Sequence, residues 1–284
     1  MIEAGACPLF EIRNLSKVFP GGAAALDGIS LDIAEGRCLL VAGSNGSGKT
    51  VLMRILAGLL DASGGEVLFR GEPLAKALAG PGKSSGGPGK PGKTVSGKGG
   101  KASGKDGNFR QELGIVFQDA DAQFVGETVE EDVSFGPSNL ALERKETEAR
   151  TREALVKTGL WEKRAFPPRR LSGGEKRRLA LAGVLAMNCR IIIMDEPFAN
   201  LDWPGVVQVL RSIEALKTDG KTLIILTHEL EKVLALGDRL VILDRGKIRD
   251  SGKPEEVLDR LRPEYGVRDP RRAYNTVEDC SWLD

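Results

Sequence analysis

Hydrophobic positions along the chain alternate between short continuous apolar runs and longer segments with helical spacing. Three runs predict buried strands: "RCLLVAG" at 37–43, "RIIIMD" at 190–195 and "KTLIILTH" at 221–228. The first run leads directly into "KTVLMRILAGLL", whose apolar spacing predicts a helix. Strands that alternate with helices indicate an α/β fold whose core sheet is mostly parallel.

Other segments depart from this alternation. The stretch 127–188 is predicted to be mainly helical, and its charged part "LERKETEARTREALVKTGL" is typical of an exposed amphipathic helix. Nearer the N-terminus, "EIRNLSKVF", "ISLDIAEG" and "GGEVLFRG" predict an antiparallel β edge subdomain beside the parallel sheet.

Composition favours a soluble globular protein. The 284 residues are 41% hydrophobic and 29% charged, enough for one large core or two modest ones. The four cysteines, at 7, 38, 189 and 280, form no CxxC pair, which argues against a zinc site or a disulfide framework and fits a reducing cytoplasm. No leader-like segment is present, and the apolar runs fall short of the roughly 20 residues of a membrane span. Any contact with a membrane is therefore expected to go through a partner.

Charge is concentrated in one segment. Residues 76–107 hold seven lysines and a single acid, Asp106, in repeats of PGK and SGK with almost nothing apolar. We interpret 79–107 as a disordered surface insertion, since long insertions cost little loop-closure entropy. The alternative is a contact between its lysines and a phosphate-rich surface such as nucleic acid or anionic lipid.

The sharpest local motif is "GSNGSGKT" at 43–50, which follows a predicted strand and begins a helix. It matches the P-loop pattern GxxxxGK[ST], in which backbone N–H groups and a helix N-terminus cradle phosphates. Gly43, Gly46 and Gly48 allow the backbone to wrap an anion without Cβ clashes. Lys49 would reach the β- and γ-phosphates, and the Thr50 hydroxyl would bind Mg²⁺. A chance glycine-rich turn is disfavoured by the strand before and the helix after.

A second motif, "IIIMDEP", places two acids at the end of a buried strand. Asp195 would bind Mg²⁺ through water, and Glu196 would polarise an attacking water molecule; solvated strand-end acids are the alternative. His228, the only histidine, follows another predicted strand. Because ligands bind at the carboxyl ends of parallel strands, His228 and Glu196 should share one edge, where His228 could contact the γ-phosphate.

These motifs occur in the order found in ATP-binding-cassette ATPases, the motor subunits of ABC transporters, and the chain resembles that family outside 79–107 and the C-terminus. The matching segments are a Walker A at 43–50, a Q-loop glutamine at Gln118 in "GIVFQD", the signature "LSGGE" at 171–175, a Walker B at 191–196, a D-loop "NLD" at 200–202 and a switch histidine at His228. The resemblance implies a nucleotide-binding domain at 1–250 and a C-terminal extension at 251–284.

The resemblance also implies an ATP and Mg²⁺ site. Catalytic roles would fall to Glu196, His228 and Gln118, and Mg²⁺ would be held by Thr50, Gln118 and Asp195. Phe19 matches the aromatic that stacks on adenine, although a core phenylalanine is the alternative. The implied nucleotide contacts are Phe19, Gly43, Ser44, Asn45, Gly46, Ser47, Gly48, Lys49, Thr50, Ser172, Gly173, Gly174, Glu175 and Asp202.

The signature segment implies a second cassette. Ser172, Gly173 and Gly174 resemble the loop that caps the γ-phosphate of an ATP held by the Walker A of another subunit. A serine and exposed amides at a helix N-terminus favour an anion, and the P-loop of this chain already binds its own. We therefore expect a dimer of cassettes, with an identical or a paralogous partner.

A narrower resemblance lies in "VFQDADAQFVGETVEEDVSFGPSNLAL" at 116–142, which is similar to the ATPases of energy-coupling-factor importers of transition metals and vitamins. Ala120 stands where that group usually has proline, and Ala122 where it has a second aspartate. The resemblance implies a transmembrane coupling subunit, a substrate-binding membrane subunit and a peripheral position on the cytoplasmic face of the membrane. Phe124 and Val125 are expected to be exposed in the groove that receives the coupling helix.

Other classes of ABC ATPase fit the sequence less well. A DNA-repair or chromosome-organising ATPase would carry a long coiled coil where this chain has a glycine- and proline-rich insertion, and a ribosome-associated one would normally hold two cassettes. A regulatory or nucleic-acid-associated ATPase without transport stays open as the alternative. It would require the lysine-rich segment to bind RNA or DNA, and we otherwise expect no nucleic-acid partner.

Overall fold

The computed structural model describes residues 8–79, 109–119, 123–140 and 142–271. These residues form ten strands: β1 (Pro8–Val18), β2 (Ala24–Ala34), β3 (Cys38–Ala42), β4 (Gly64–Phe69), β5 (Glu72–Pro73), β6 (Leu113–Val116), β7 (Ile191–Asp195), β8 (Thr222–Thr227), β9 (Arg239–Asp244) and β10 (Lys247–Gly252). The helices are α1 (Lys49–Leu56), α2 (Leu74–Ala79), α3 (Phe109–Glu112), α4 (Val129–Asn139), α5 (Arg144–Lys157), α6 (Gly173–Met187), α7 (Trp203–Thr218), α8 (Leu230–Val233) and α9 (Pro254–Asp259).

Six strands form the central sheet, in the order β10-β9-β3-β8-β7-β6. All neighbouring strands are parallel except β10, which pairs antiparallel with β9. Every residue of β3, β7 and β8 is buried, because helices or the second sheet cover both faces. This explains why these strands read as continuous apolar runs and confirms the predicted α/β fold with a mostly parallel core sheet. Since β3, β6, β7 and β8 are parallel, their carboxyl ends meet at one edge.

The four remaining strands form an antiparallel sheet in the order β2-β1-β4-β5, which confirms the predicted β edge subdomain. It shares one hydrophobic cluster with α1 and with one face of the central sheet. In that cluster the rings of Phe10, Phe69 and Phe109 meet with centroids 4.9–6.2 Å apart. Aromatic rings prefer tilted and edge-to-face arrangements of this kind, so the three rings stabilise the packing of this cluster. The antiparallel sheet thereby supports α1, the helix that follows the P-loop.

Helices α4, α5 and α6 lie in the segment expected to be mainly helical and share a separate apolar cluster. The buried positions of α5 are Thr147, Thr151, Ala154 and Leu155, which fall on one face of the helix. Helix α4 begins with a capping box, in which the Thr128 hydroxyl accepts from the Glu131 amide and the Glu131 carboxylate accepts from the Thr128 amide. The cap orders the chain just ahead of α4.

Several predictions concern residues at or beyond the edges of the described structure. The predicted insertion at 79–107 lies outside the described residues except for Ala79, which is the last residue of α2. Ala120 and Ala122 also lie outside the described residues. Strand β10 runs across the predicted boundary between 250 and 251, and α9 buries Val257 and Leu258 in the second hydrophobic cluster of the core. Within the described ranges no helix is long and apolar enough to cross a membrane.

Two buried thiols give a test of this packing. Burial raises the pKa of the Cys38 thiol to about 12 and that of Cys189 to about 11. Because only a thiolate reacts with iodoacetamide, we expect neither residue to be alkylated in the native protein at about pH 8. Peptide mass spectrometry should detect both adducts after unfolding in guanidinium. Rapid labelling of either thiol without denaturant would contradict the burial of β3 or of the segment after α6.

Candidate functional site

The edge formed by the carboxyl ends of the parallel strands gathers most of the predicted site residues. The P-loop follows β3, Gln118 follows β6, Glu196 follows β7 and His228 follows β8. These segments are far apart in the sequence but follow strands that are neighbours in the sheet, in the order β3, β8, β7 and β6. The sheet therefore brings the phosphate-binding loop, the strand-end carboxylates and the histidine to a common edge.

Glycines fix the course of the P-loop. A Cβ at Gly43 would lie 2.1 Å from the carbonyl oxygen of Leu243 in β9, so no side chain fits there. Gly48 has a φ of +107°, and a Cβ would lie 2.5 Å from the carbonyl oxygen of Ala25. Gly48 is also the N-cap of α1 and has no side chain to satisfy the first amides of that helix. Those amides are left for an external anion.

Lys49 is buried, with 6% of its surface exposed. Its Nζ donates to the carbonyl oxygens of Gly43 at 2.8 Å and Ser44 at 3.1 Å, and it lies 3.5 Å from Oε1 of Glu196. The ammonium is thus surrounded by oxygen atoms on the inner side of the loop. Phosphate oxygens are stronger acceptors for a desolvated ammonium than backbone carbonyls, so the side chain is placed to exchange partners when a phosphate binds.

Thr50 and Asp195 form the second contact between the loop and β7. The Thr50 hydroxyl donates to Oδ2 of Asp195 at 2.7 Å. Oδ1 of Asp195 is buried and has no hydrogen-bond partner among the described residues. Burial raises the pKa of Asp195 and the charge of Glu196 adds to this rise, while the Thr50 hydrogen bond and Lys49 oppose it. The negative charge of the Asp195 carboxylate is therefore only partly balanced by its hydrogen bond and by the nearby cations in this structure.

A hydroxyl and a carboxylate with a spare oxygen are suitable ligands for Mg²⁺, which prefers oxygen donors and retains several waters. In the described part of the chain there is no group of three or more His, Cys, Asp or Glu residues that could hold a metal ion by itself. Thr50 and Asp195 thus fit an ion that is shared with phosphate and water. Gln118, the third predicted ligand, has an exposed side chain and is the second residue after the end of β6.

Glu196 adopts a strained backbone conformation with a φ of +49°. Its amide donates to the carbonyl oxygen of Leu226 at 2.8 Å, which fixes it against β8. The carboxylate is almost fully buried: Oε2 accepts from the His228 amide at 3.2 Å, and Oε1 lies 2.9 Å from Nδ1 of His228. Non-glycine residues in this region persist only when their surroundings over-determine them. The sequence predicted the two side chains on one edge but gave no signal for the strained backbone.

One further predicted residue, Phe19, and one residue that was not predicted, Gln123, have clear positions. Phe19 is 40% exposed, and Nζ of Lys17 lies 5.3 Å from its ring centroid, so Phe19 is a surface residue rather than a core phenylalanine. Gln123, which the sequence did not single out, braces the turn beside Gln118. Its Oε1 accepts from the Phe117 amide at 3.1 Å, and its Nε2 donates to the carbonyl oxygen of Ile115 at 3.0 Å.

The signature segment begins α6 with a capping box. The Ser172 hydroxyl accepts from the Glu175 amide at 3.3 Å, and Glu175 accepts from the Ser172 amide at 2.9 Å. Burial would raise the pKa of Glu175, but hydrogen bonds from Lys163 and Ser172 outweigh it and lower that pKa. Ser172 and Gly173 are exposed. Within the described residues no hydrogen bond or ion pair links 171–175 to the P-loop.

The predicted D-loop lies between Glu196 and α7. Asp202 is the N-cap of α7 and accepts from the Gly205 amide at 3.0 Å. Asn200 has a φ of +59°, and a Cβ on Gly174 would lie 3.2 Å from the side chain of Leu201. The D-loop is therefore packed against the start of α6, and it joins the signature segment to the strand-end carboxylates.

The fold and this edge define the class as a P-loop nucleotide-binding protein. Residues 26–199 match the family model of the ABC transporter. The chain is 38% identical over 265 residues to the cobalt import ATP-binding protein CbiO of Rhodobacter capsulatus, which covers 93% of this chain and 86% of that protein. It is 35% identical over 271 residues to the energy-coupling factor transporter ATP-binding protein EcfA of Methanocaldococcus jannaschii, covering 94% and 87% of the two chains.

A solved structure gives the same result. The cbiO1 protein of Clostridium perfringens, described as part of the ABC transporter complex cbiONQ, superposes with a TM-score of 0.70 at 31% identity. The match covers 89% of this chain and 91% of that one. The chain belongs to the ABC transporter family, which confirms the resemblance found in the sequence.

The under-compensated carboxylate of Asp195 leads to a stability prediction. The pKa of Asp195 is higher in the folded protein than in the unfolded chain. The ionised carboxylate therefore destabilises the folded protein at pH values above the pKa of the unfolded chain, and this destabilisation disappears at low pH, where the carboxyl group is protonated in both states. We expect Asp195→Asn to raise the melting temperature without nucleotide, by about 2–4 °C for each kcal/mol relieved. The gain should shrink as the pH falls, while stabilisation by ATP with Mg²⁺ is lost. Scanning calorimetry in EDTA and in Mg²⁺ with ATP measures both, and a lower melting temperature in EDTA would contradict the idea.

Proposed function

We propose that the chain is the ATP-binding and ATP-hydrolysing subunit of an energy-coupling-factor importer. The observation that carries the proposal is the edge where Lys49, the Thr50–Asp195 pair and the Glu196–His228 pair converge. The functions for which the two relatives are named, cobalt import and energy-coupling factor transport, supply the physiological context. The cargo class that follows is a transition metal ion or a vitamin.

The proposed chemistry is transfer of the terminal phosphoryl group of ATP to water. The P-loop amides and Lys49 would bind the phosphates and stabilise their charge. Thr50 and Asp195 would hold Mg²⁺, with Gln118 as a further ligand; bound Mg²⁺ neutralises phosphate charge. Glu196 would orient the attacking water and accept its proton. His228, which contacts Glu196, would face the γ-phosphate, and Phe19 would stack on adenine.

We propose that the site is completed by a second cassette, identical or paralogous. The exposed Ser172 and Gly173, at the start of α6, would supply amides to the γ-phosphate held by the partner. Asp202 of the D-loop would lie at the same interface. ATP would then close the two cassettes and hydrolysis would reopen them, which moves the membrane partner.

The membrane partner is proposed to dock at a cleft of about 670 Å³ next to the Q-loop. Its lining residues are Phe124, Gly126, Glu127, Thr128, Pro167, Pro168 and Arg169. The expectation that Phe124 is exposed is wrong, because its side chain is partly buried against two apolar clusters. Val125 lies in sequence between the lining residues Phe124 and Gly126 without being one of them, and it is 61% exposed. A helix of a transmembrane coupling subunit could bury it, which would hold this chain at the cytoplasmic face beside a substrate-binding membrane subunit.

The hydrolytic role is tested at Glu196. We expect Glu196→Gln to bind ATP normally and to hydrolyse it about 10²-fold or more slowly, the scale for losing a positioned base. The ATP-bound dimer should accumulate, since hydrolysis would no longer reopen it. Lys49→Ala should instead lose ATP affinity, because the ammonium that it removes would contact the phosphates directly.

The control is Glu112→Gln, which removes a partly buried carboxylate paired with Arg70 beside the first residue of β6, at the opposite edge of the sheet. Phosphate release and nucleotide binding are measured for all three variants. Near-normal turnover of Glu196→Gln, or an equal loss in Glu112→Gln, would remove Glu196 from the proposed role.

The docking proposal is tested at Val125. We expect Val125→Asp to keep ATP affinity but to lose co-purification with the membrane subunits, because an unpaired charge would enter an apolar contact. Val156→Asp is a matched control, since Val156 is 57% exposed on α5. If Val125→Asp still co-purifies and supports uptake, the docking site lies elsewhere. A wild-type chain without any membrane partner would contradict the importer proposal as a whole.

A further inference from the structure

Arg177 is a charged residue of α6 that the known motifs leave without a role. It is 5% exposed and lies five positions after Ser172. Within the described residues its guanidinium donates to three backbone carbonyl oxygens: Nη1 to Glu196 at 2.9 Å and to Phe117 at 3.3 Å, and Nη2 to Ala199 at 3.5 Å. One side chain therefore joins three segments that converge on the site.

Each of these carbonyls belongs to a functional segment. The Phe117 carbonyl precedes Gln118, the Glu196 carbonyl belongs to the proposed general base, and the Ala199 carbonyl precedes the D-loop at 200–202. Arg177 itself follows the signature segment on the same helix. The guanidinium thus links α6 by direct hydrogen bonds to the backbone before Gln118, to the backbone of Glu196 and to the backbone before the D-loop.

The environment of Arg177 is costly for a cation. Burial lowers its pKa, and the nearby negative charges, of which Asp195 and Glu196 act most strongly and Asp119 and Glu229 less, only partly oppose this effect. No carboxylate forms an ion pair with Arg177 among the described residues. A buried guanidinium bound only to carbonyls is poorly explained as a contribution to stability, because an apolar side chain would avoid the desolvation cost. A role in the chemistry of the site explains its presence better.

The backbone of Glu196 indicates what that role is. Its strained conformation is fixed on one side by its amide, which donates to Leu226, and on the other by its carbonyl, which accepts from Arg177 and from the Ala199 amide at 3.2 Å. Without the guanidinium, the Glu196 carbonyl would keep only its turn contact with the Ala199 amide, while the Glu196 amide would still donate to Leu226. The carboxylate of Glu196 would then be free to leave its position beside His228 and Lys49.

We propose that Arg177 is a positioning residue that holds Glu196 in its reactive orientation and links that orientation to the position of α6. The proposal rests on the proposed function, since it assumes that Glu196 activates water. Among the described residues, none of the hydrogen bonds of Arg177 goes to the P-loop or to a side chain proposed to bind Mg²⁺. A movement of α6, such as one that follows closure of the signature segment on a partner, would be passed to Glu196 and to the Q-loop through the same three hydrogen bonds.

The test compares Arg177→Met, Arg177→Lys and Arg239→Met. Arg177→Met keeps the length and packing of the side chain but removes all three hydrogen bonds. Arg177→Lys keeps the charge but cannot form the same planar set of bonds. Arg239 is the matched control, because it is a partly buried arginine whose guanidinium donates to a backbone carbonyl, Asp32, and to Ser251, which joins β9 to β2 and β10.

We expect Arg177→Met to reduce kcat for ATP hydrolysis by roughly 10- to 100-fold, the scale of a small misplacement of a catalytic group. The Kd for ATP should stay within about twofold, because the P-loop contacts are untouched. Arg177→Lys should lie between Arg177→Met and the wild type. Arg239→Met should keep kcat even where its melting temperature falls as far as that of Arg177→Met.

Three outcomes would overturn the inference: kcat of Arg177→Met near the wild-type value, a loss of ATP affinity that matches the loss of kcat, or an equal loss of kcat in Arg239→Met. If Arg177→Met does not fold, Arg177→Lys carries the same comparison of kcat with Kd. A wild-type protein that does not hydrolyse ATP would mean that the proposed function fails. A hydrolytic wild type with an unaffected Arg177 variant would reject only the positioning role.

Discussion

The structure depends on the contact of two successive P-loop residues, one of them a buried ammonium, with two adjacent carboxylates at the end of β7. The ammonium of Lys49 lies near the carboxylate of Glu196, and the hydroxyl of Thr50, the next residue of the P-loop, donates to the carboxylate of Asp195. This proximity exists because β3 and β7 are both paired with β8 in a parallel sheet, so that the segments following them meet at one edge. The antiparallel sheet and α1 on one face, and α6 and α7 on the other, hold those strands in place.

The charges at this edge are arranged for a ligand rather than for the stability of the free chain. Asp195 has a buried oxygen without a partner and a raised pKa, and Glu196 is held in a strained conformation. Such features reduce stability, and they persist where surrounding contacts over-determine them. A phosphate with its Mg²⁺ would supply the missing partners: an anion for Lys49 and the P-loop amides, and a cation for Asp195. Arg177 would add the link between this edge and the helix that begins with the signature segment.

Much of this edge could be predicted from the sequence, because its residues occur in short motifs at the ends of apolar runs. Lys49 and Asp195 follow from local pattern alone, and the parallel sheet that joins them follows from the alternation of strands and helices. The positive φ of Glu196, the brace from Gln123 and the carbonyl contacts of Arg177 could not be predicted. Each depends on backbone atoms that are distant in sequence and that only the folded chain brings together. Phe124 shows the opposite error, since a local pattern suggested exposure where tertiary packing half-buries the ring.

The central claim is that the edge after β3 and β7 binds the terminal phosphate of ATP, with a second cassette opposite. The most direct measurement is a crystal structure of the Glu196→Gln chain with ATP and Mg²⁺. The expected result is a γ-phosphate in hydrogen-bond contact with Nζ of Lys49, which has left its carbonyl partners, and with the Ser172 segment of another cassette facing it. A nucleotide bound without contact to the loop 43–50, or with Lys49 still bound to Gly43 and Ser44, would contradict the claim.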